Sequence, residues 1–125
     1  MKFVDSNIIA YAFYANEFQE KCQRVLREEN IVADAIVLVE AFNIIEFQTS
    51  RENALLCIKA LLKSNIIVKE VDINLIFESL KRTNKYHLKF IDLIHYTIAS
   101  LEKCECILTY DQDFDNLEIP REEPE

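Results

Sequence analysis

The chain has 125 residues, half of them hydrophobic, with 14 basic and 22 acidic side chains and a formal net charge of −8. That is one domain's length with enough apolar content for a core, and its sign excludes a nucleic-acid binder that works through a broad basic face neutralising phosphates. Glycine is absent altogether, which excludes the Gly-rich phosphate loops of Walker and Rossmann nucleotide sites.

The amino terminus opens on strand-like Lys2-Phe3-Val4 and runs straight into Asp5, without the basic region and small-residue cleavage site of a secretory leader. The longest apolar stretch, 35–47, is broken by Glu40, Asn43 and Glu46 and is shorter than the roughly 20 residues that span a bilayer. Cys22, Cys57, Cys104 and Cys106 lack the paired spacing of a zinc site. Reduced thiols, a cytoplasmic setting and no membrane association are therefore expected.

In chain order, residues 2–4 read as a short buried strand, and Ser6 or Asn7 is placed to cap a helix running through Tyr14. A second helix, 17–28, carries Phe18, Cys22, Val25 and Leu26 on one side. Residues 31–33 form a minimal strand, after which Asp34 caps an apolar helix to about Thr49 and Ser50 caps another over 51–63. The β-branched run 66–71 is the clearest strand. Asp72 caps a helix with Leu75, Ile76 and Leu80 facing inward; 90–103 is the next helix and 106–109 the next strand. Strands separated by helices predict a three-layer α/β/α sandwich with a central, mainly parallel sheet. The domain is expected to span 1–119, with the acidic segment from Glu118 onward lying outside the core and 120–125 forming a tail.

Four acids interrupt apolar runs where a charge is costly. Asp5 ends Lys2-Phe3-Val4, Glu40 lies inside Val37-Leu38-Val39-Glu40-Ala41-Phe42, Asp92 inside Phe90-Ile91-Asp92-Leu93-Ile94, and Asp111 follows Leu108-Thr109-Tyr110. Each has a local structural explanation as a cap or turn residue, except Glu40, which has no Lys or Arg within one helical turn. A carboxylate removed from water costs several kcal/mol or more unless paired, hydrogen-bonded or metal-bound, and one shared divalent cation would account for all four. Mg²⁺ and Mn²⁺ are hard cations held by a few carboxylates, and Ser6, Asn7, Asn43 and Thr109 stand beside the acids as supporting donors or acceptors. Asp113 competes with Asp111 for the fourth position.

Other polar residues carry less signal. His95 can share a helix face with Asp92 but reads first as a packed or surface residue, and His87 as solvent-facing. Arg82, Lys85 and Lys89 form a modest basic cluster that could hold a phosphate chain, with Tyr86 for stacking and Arg51 more distant; its plainer reading is a solvated face.

Phe3-Val4-Asp5-Ser6-Asn7, Leu38-Val39-Glu40, Phe90-Ile91-Asp92-Leu93-Ile94-His95-Tyr96-Thr97-Ile98-Ala99 and Leu108-Thr109-Tyr110-Asp111-Gln112-Asp113-Phe114, in this order, resemble the PIN-domain family, in its small VapC-like form. The resemblance spans nearly the whole chain and implies a PIN-like fold and a Mg²⁺- or Mn²⁺-dependent endoribonuclease. It implies that Asp5, Glu40 and Asp92 anchor a principal metal and that Asp111 completes the site or binds a second ion. It also implies a metal-activated water that leaves a 5′-phosphate and a 3′-hydroxyl, a homodimer, an RNA substrate, and a small antitoxin as partner. An alternative is a PIN-like binding or assembly module without catalysis, against which the retention of all four acids argues. A haloacid-dehalogenase-type phosphatase would need an Asp at position 7, where Asn7 stands.

Overall fold

Three helix starts follow the caps written in the sequence. In the computed structural model, which describes residues 1–125, Asp34 Oδ1 accepts from the Val37 amide at 2.8 Å, Ser50 Oγ from Asn53 at 3.0 Å and Asp72 Oδ1 from Leu75 at 2.9 Å. The first helix differs from expectation. Its cap is Asp5, whose Oδ1 accepts from the Ser6 amide at 2.8 Å, in place of Ser6 or Asn7.

The elements are β1 (Lys2–Val4), α1 (Ser6–Tyr11), α2 (Gln19–Leu26), β2 (Ile31–Asp34), α3 (Ala35–Gln48), α4 (Arg51–Leu62), β3 (Ile67–Lys69), α5 (Ile73–Leu80), α6 (Phe90–Leu101), β4 (Cys106–Leu108), a 3₁₀ turn (Gln112–Phe114) and β5 (Arg121–Glu122). Helix α1 stops at Tyr11, short of the expected Tyr14, because Asn16 draws the backbone into a turn. Its side-chain amide donates to the Tyr11 and Tyr14 carbonyls at 2.9 and 2.7 Å, while its carbonyl oxygen accepts from the Phe18 amide at 2.8 Å. Strand β3 is shorter than the run 66–71, since it pairs only with Val32, Ala33 and Asp34 of β2 and has no neighbour on its other side.

All five strands run parallel in the order β3-β2-β1-β4-β5, flanked by helices in a three-layer α/β/α arrangement. Helices α1 to α4 pack among themselves, and α5 packs on α6. Phe3, Val4, Val32, Ala33, Ile107 and Leu108 from the three central strands are buried and join Ile8, Ile9, Val37 and Ile98 from the helices in one core. Burial on both faces explains why these strands read as unbroken apolar runs with no alternation.

One expectation is overturned at the carboxyl end. The segment after Glu118, assigned outside the core, supplies β5, which pairs with β4 through Ile107–Arg121 and Leu108–Glu122, and Pro124 is buried. Backbone pairing draws it in: the amides of Ile107 and Thr109 donate to the carbonyls of Pro120 and Glu122 at 2.9 and 3.0 Å. Composition alone concealed this, since the ladder is made by main-chain groups while the side chains of Glu122, Glu123 and Glu125 stay exposed. No helix is long and apolar enough to cross a membrane.

Candidate metal centre

The order in which strands are added reverses at the middle of the sheet. From β1 the chain moves to β2 and β3 on one side, then returns to place β4 and β5 on the other, so β1 and β4 flank a switch point. Beyond the carboxyl ends of strands at such a point, adjacent loops diverge and leave a crevice for a ligand. Asp5 follows β1 and Thr109, Tyr110 and Asp111 follow β4.

A single hydroxyl joins these two ends. Thr109 Oγ1 donates to Asp5 Oδ2 at 2.8 Å and accepts from Asn7 Nδ2 and the Asp111 amide, both at 3.0 Å. The Tyr110 amide donates to Asn7 Oδ1 at 3.2 Å. Asp5 is thus locked by Ser6 on one oxygen and Thr109 on the other, in a nearly buried position.

Helices bring the remaining acids. Glu40 projects from the second turn of α3 and Asp92 from the first turn of α6. Asp5, Ser6, Asn7, Glu40, Lys89, Asp92 and Asp111 line one open cleft of about 500 Å³, with Ile44, Phe90 and Ile91 forming its apolar wall. Donor atoms of Asp5, Glu40 and His95 lie within 4.8 Å of one another, and so do those of Asp92, Asp111 and Asp113. Asp113 is exposed, and its amide donates to Asp111 Oδ1 at 2.9 Å. Asn43 is exposed on α3 and does not line the cleft.

Glu40 differs from its sequence expectation in two respects. Its side chain is 32% exposed, so the acid stands at the rim of the apolar face and outside the core, and it has a cationic neighbour. That neighbour is His95, which sequence reasoning read first as a packed or surface residue. Its Nε2 meets Glu40 Oε1 at 2.8 Å and its Nδ1 meets Asp34 Oδ2 at 2.5 Å. The available signal was an ionisable residue within the apolar run Leu93-Ile94-His95-Tyr96, the same feature that singled out Glu40.

The electrostatics follow from this crowding. Burial, the largest influence, pushes the His95 pKa down, but its hydrogen bonds to Asp34 and Glu40 and the charges of Asp34 and Asp5 outweigh it and carry the group up to about 10. Asp92 is pushed up to about 6, first by burial and then by the charges of Asp5, Asp111 and Glu40, against a lowering by His95. Asp5 is raised chiefly by burial, offset partly by His95, Ser6 and Thr109. The His95 imidazolium and Lys89 therefore leave the four acids of the cleft short of positive charge, and the carboxylate oxygens facing it fit a hard divalent cation.

Of the basic candidates, Lys89 lines the cleft at the start of α6. Arg82 is engaged with Glu78 at 3.1 Å and Lys85 with Glu118 at 2.7 Å, while Arg51 is paired to Glu46. The Tyr86 ring packs on Tyr96 with centroids 4.8 Å apart, and His87 is exposed.

The PIN domain family model matches residues 2–120, nearly the full chain. The chain belongs to the PIN-domain family. Among solved structures, this PIN domain is similar to VapC20 of Mycobacterium tuberculosis, a toxin that cleaves the sarcin-ricin loop, with a TM-score of 0.80 and 14% identity over 95% of this chain and 96% of that one. It is also similar to a chain of a toxin-antitoxin complex from Klebsiella pneumoniae, with a TM-score of 0.75 and 16% identity over 100% and 98% of the two chains. A third likeness is to VapBC2 of Rickettsia felis bound to a DNA fragment from its promoter, with a TM-score of 0.74 and 15% identity over 99% and 98%. No curated protein matches the sequence. At these identities the structural likeness establishes that the PIN domain has the fold of VapC toxins.

Proposed function

We propose that this PIN domain is a Mg²⁺- or Mn²⁺-dependent endoribonuclease, the toxin of a toxin-antitoxin pair acting in the cytoplasm. The observation that carries the reading is the convergence of Asp5, Glu40, Asp92 and Asp111 on one cleft at the β1/β4 switch point, with His95 as their one buried cation. The structural likenesses support it: one of those proteins is a toxin that cleaves the sarcin-ricin loop and another structure is a toxin-antitoxin complex.

In this reading Asp5, Glu40 and Asp92 hold the principal ion, and Asp111 closes the cleft on the β4 side. A bound divalent ion supplies Lewis acidity toward a phosphodiester and lowers the pKa of a water. The chain's own residues do the rest. Thr109 and Ser6 fix Asp5, Asn7 ties the β1 end to Tyr110, and Lys89, exposed at the cleft mouth, is placed to meet a phosphate. The protein partners are a small antitoxin and a second copy of the chain. Exposed Phe47, Leu55 and Leu56 on α3 and α4 offer apolar area of the kind that protein partners cover.

Purified protein and an end-labelled single-stranded RNA test the activity. Cleavage should require Mg²⁺ or Mn²⁺ and stop with chelator. In folded Asp5→Asn and Glu40→Gln variants it should fall at least about 100-fold, the equivalent of about 3 kcal/mol of transition-state stabilisation. Variants that cut as fast as the parent would remove these acids from the mechanism. A parent inert with every divalent ion would favour a binding or assembly module.

A further inference from the structure

Two wholly buried polar side chains, Asp34 and His95, stand behind Glu40. Asp34 divides its carboxylate: Oδ1 accepts from the Val37 amide at 2.8 Å and caps α3, while Oδ2 accepts from His95 Nδ1 at 2.5 Å. The imidazole then donates through Nε2 to Glu40 Oε1 at 2.8 Å. Both ring nitrogens are engaged and Phe3 packs near the ring, with centroids 5.9 Å apart, so the imidazole cannot turn without leaving buried groups unpaired.

A polar chain of this kind is a costly way to fill space in α6. An aliphatic residue at position 95, like Leu93, Ile94 and Ile98 around it, would pack there without desolvating a charge. What the chain achieves is the fixing of a side chain that nothing else fixes. Glu40 has three side-chain torsions and a partly open position, and His95 is its one side-chain hydrogen-bond partner. A carboxylate already held on folding does not lose its rotamer freedom when an ion binds.

We propose that His95, oriented by Asp34, is a positioning residue of the metal centre: it grips Oε1 of Glu40 and leaves Oε2 for the ion. This rests on the reading of the carboxylate cluster as a divalent-metal site. The competing role is direct ligation by His95 Nε2, since donor atoms of Asp5, Glu40 and His95 lie within 4.8 Å of one another. The geometry favours positioning, because Nε2 is directed at Glu40 Oε1 at 2.8 Å, so the one in-plane bonding direction of that nitrogen is already taken by the carboxylate.

Mn²⁺ binding to the metal-stripped full chain, followed by calorimetry and electron paramagnetic resonance, separates the possibilities. His95→Ala should weaken Mn²⁺ binding about 10- to 100-fold, and His95→Gln, whose amide can still donate toward Glu40, should recover part of the loss. Asp34→Asn keeps the α3 cap but removes the anion that orients the ring, and should weaken binding several-fold; it decides the matter if His95→Ala does not fold. Pulsed resonance on the Mn²⁺-loaded parent should show no directly bonded nitrogen. A strong ¹⁴N coupling would overturn positioning in favour of ligation. Parent-like affinity in folded His95→Ala, or in Asp34→Asn where that variant decides, beside loss in Asp5→Asn, would overturn it while leaving the metal reading intact. A parent that binds no Mn²⁺ would overturn both.

Discussion

Burial at the cleft wall, and then the charges of Asp5, Asp111 and Glu40, raise the Asp92 pKa from an ordinary 3.8 to about 6, against a lowering by His95. A folded pKa above the unfolded one means that the native state holds its proton longer. The stabilisation is complete below about pH 3.8 and is lost as pH rises through about 6. His95 works in the same sense over a higher window, its contribution being full below 6.5 and lost as pH rises through about 10. In metal-free protein, Asp92→Asn should therefore gain stability relative to the parent between pH 4 and 7. Solvent screening at this half-open site holds the gain to about 1 kcal/mol, on the order of 4 °C in Tm. Thermal melts of both proteins in chelator across that range check it, and a pH-independent difference would count against the crowding. Glu40 teaches a related point. Its isolation in an apolar helix was legible in the sequence, whereas its partner was not, because His95 lies 55 positions away.

Helices end as well as begin for identifiable reasons, and without glycine the ends carry strain. Asn30, Lys103 and Asn116 take positive φ, at 62°, 56° and 62°. Asparagine tolerates this region well and lysine does not. Lys103 lies just past α6, where the Cys104 amide donates to the Ala99 carbonyl at 2.9 Å and the Lys103 amide to Ser100 at 3.1 Å, the paired bonds of a Schellman stop. Lys103→Gly should stabilise the protein by about 1 kcal/mol, raising Tm by roughly 4 °C without altering RNA cleavage. A fall in Tm on differential scanning would show that the lysine side chain contributes more than its backbone costs. Element order was legible from β1 through β4, since caps and apolar spacing are local, but not at β5, which main-chain pairing alone recruits. Boundaries slipped where a side chain reached across a turn, as Asn16 does after α1, or where a strand lacked a second neighbour, as β3 does.

At the scale of the whole molecule, the sheet order decides where chemistry can occur. Placing β4 beside β1 brings Thr109 onto Asp5 across 104 positions of sequence, and β5 then covers the outer edge of β4. The surface left over includes Phe47, 86% exposed, with Val39, Leu55, Leu56, Ile73 and Phe77 also well exposed, an unusual load for a chain of this size acting alone. Light scattering of the purified protein should give twice the 14.7 kDa chain mass, and one chain's mass at all concentrations would remove the second copy from the proposal.

By itself the sequence determined the alternation of strands and helices, the family, and which acids break apolar runs. Each is written in local spacing, in the sign of a residue against its neighbours, or in short motifs. Only the tertiary structure decided the strand order, the recruitment of Arg121 and Glu122 into the sheet, and the chain from Asp34 through His95 to Glu40. Those depend on main-chain pairing and on contacts 55 to 104 residues apart, which local periodicity does not encode.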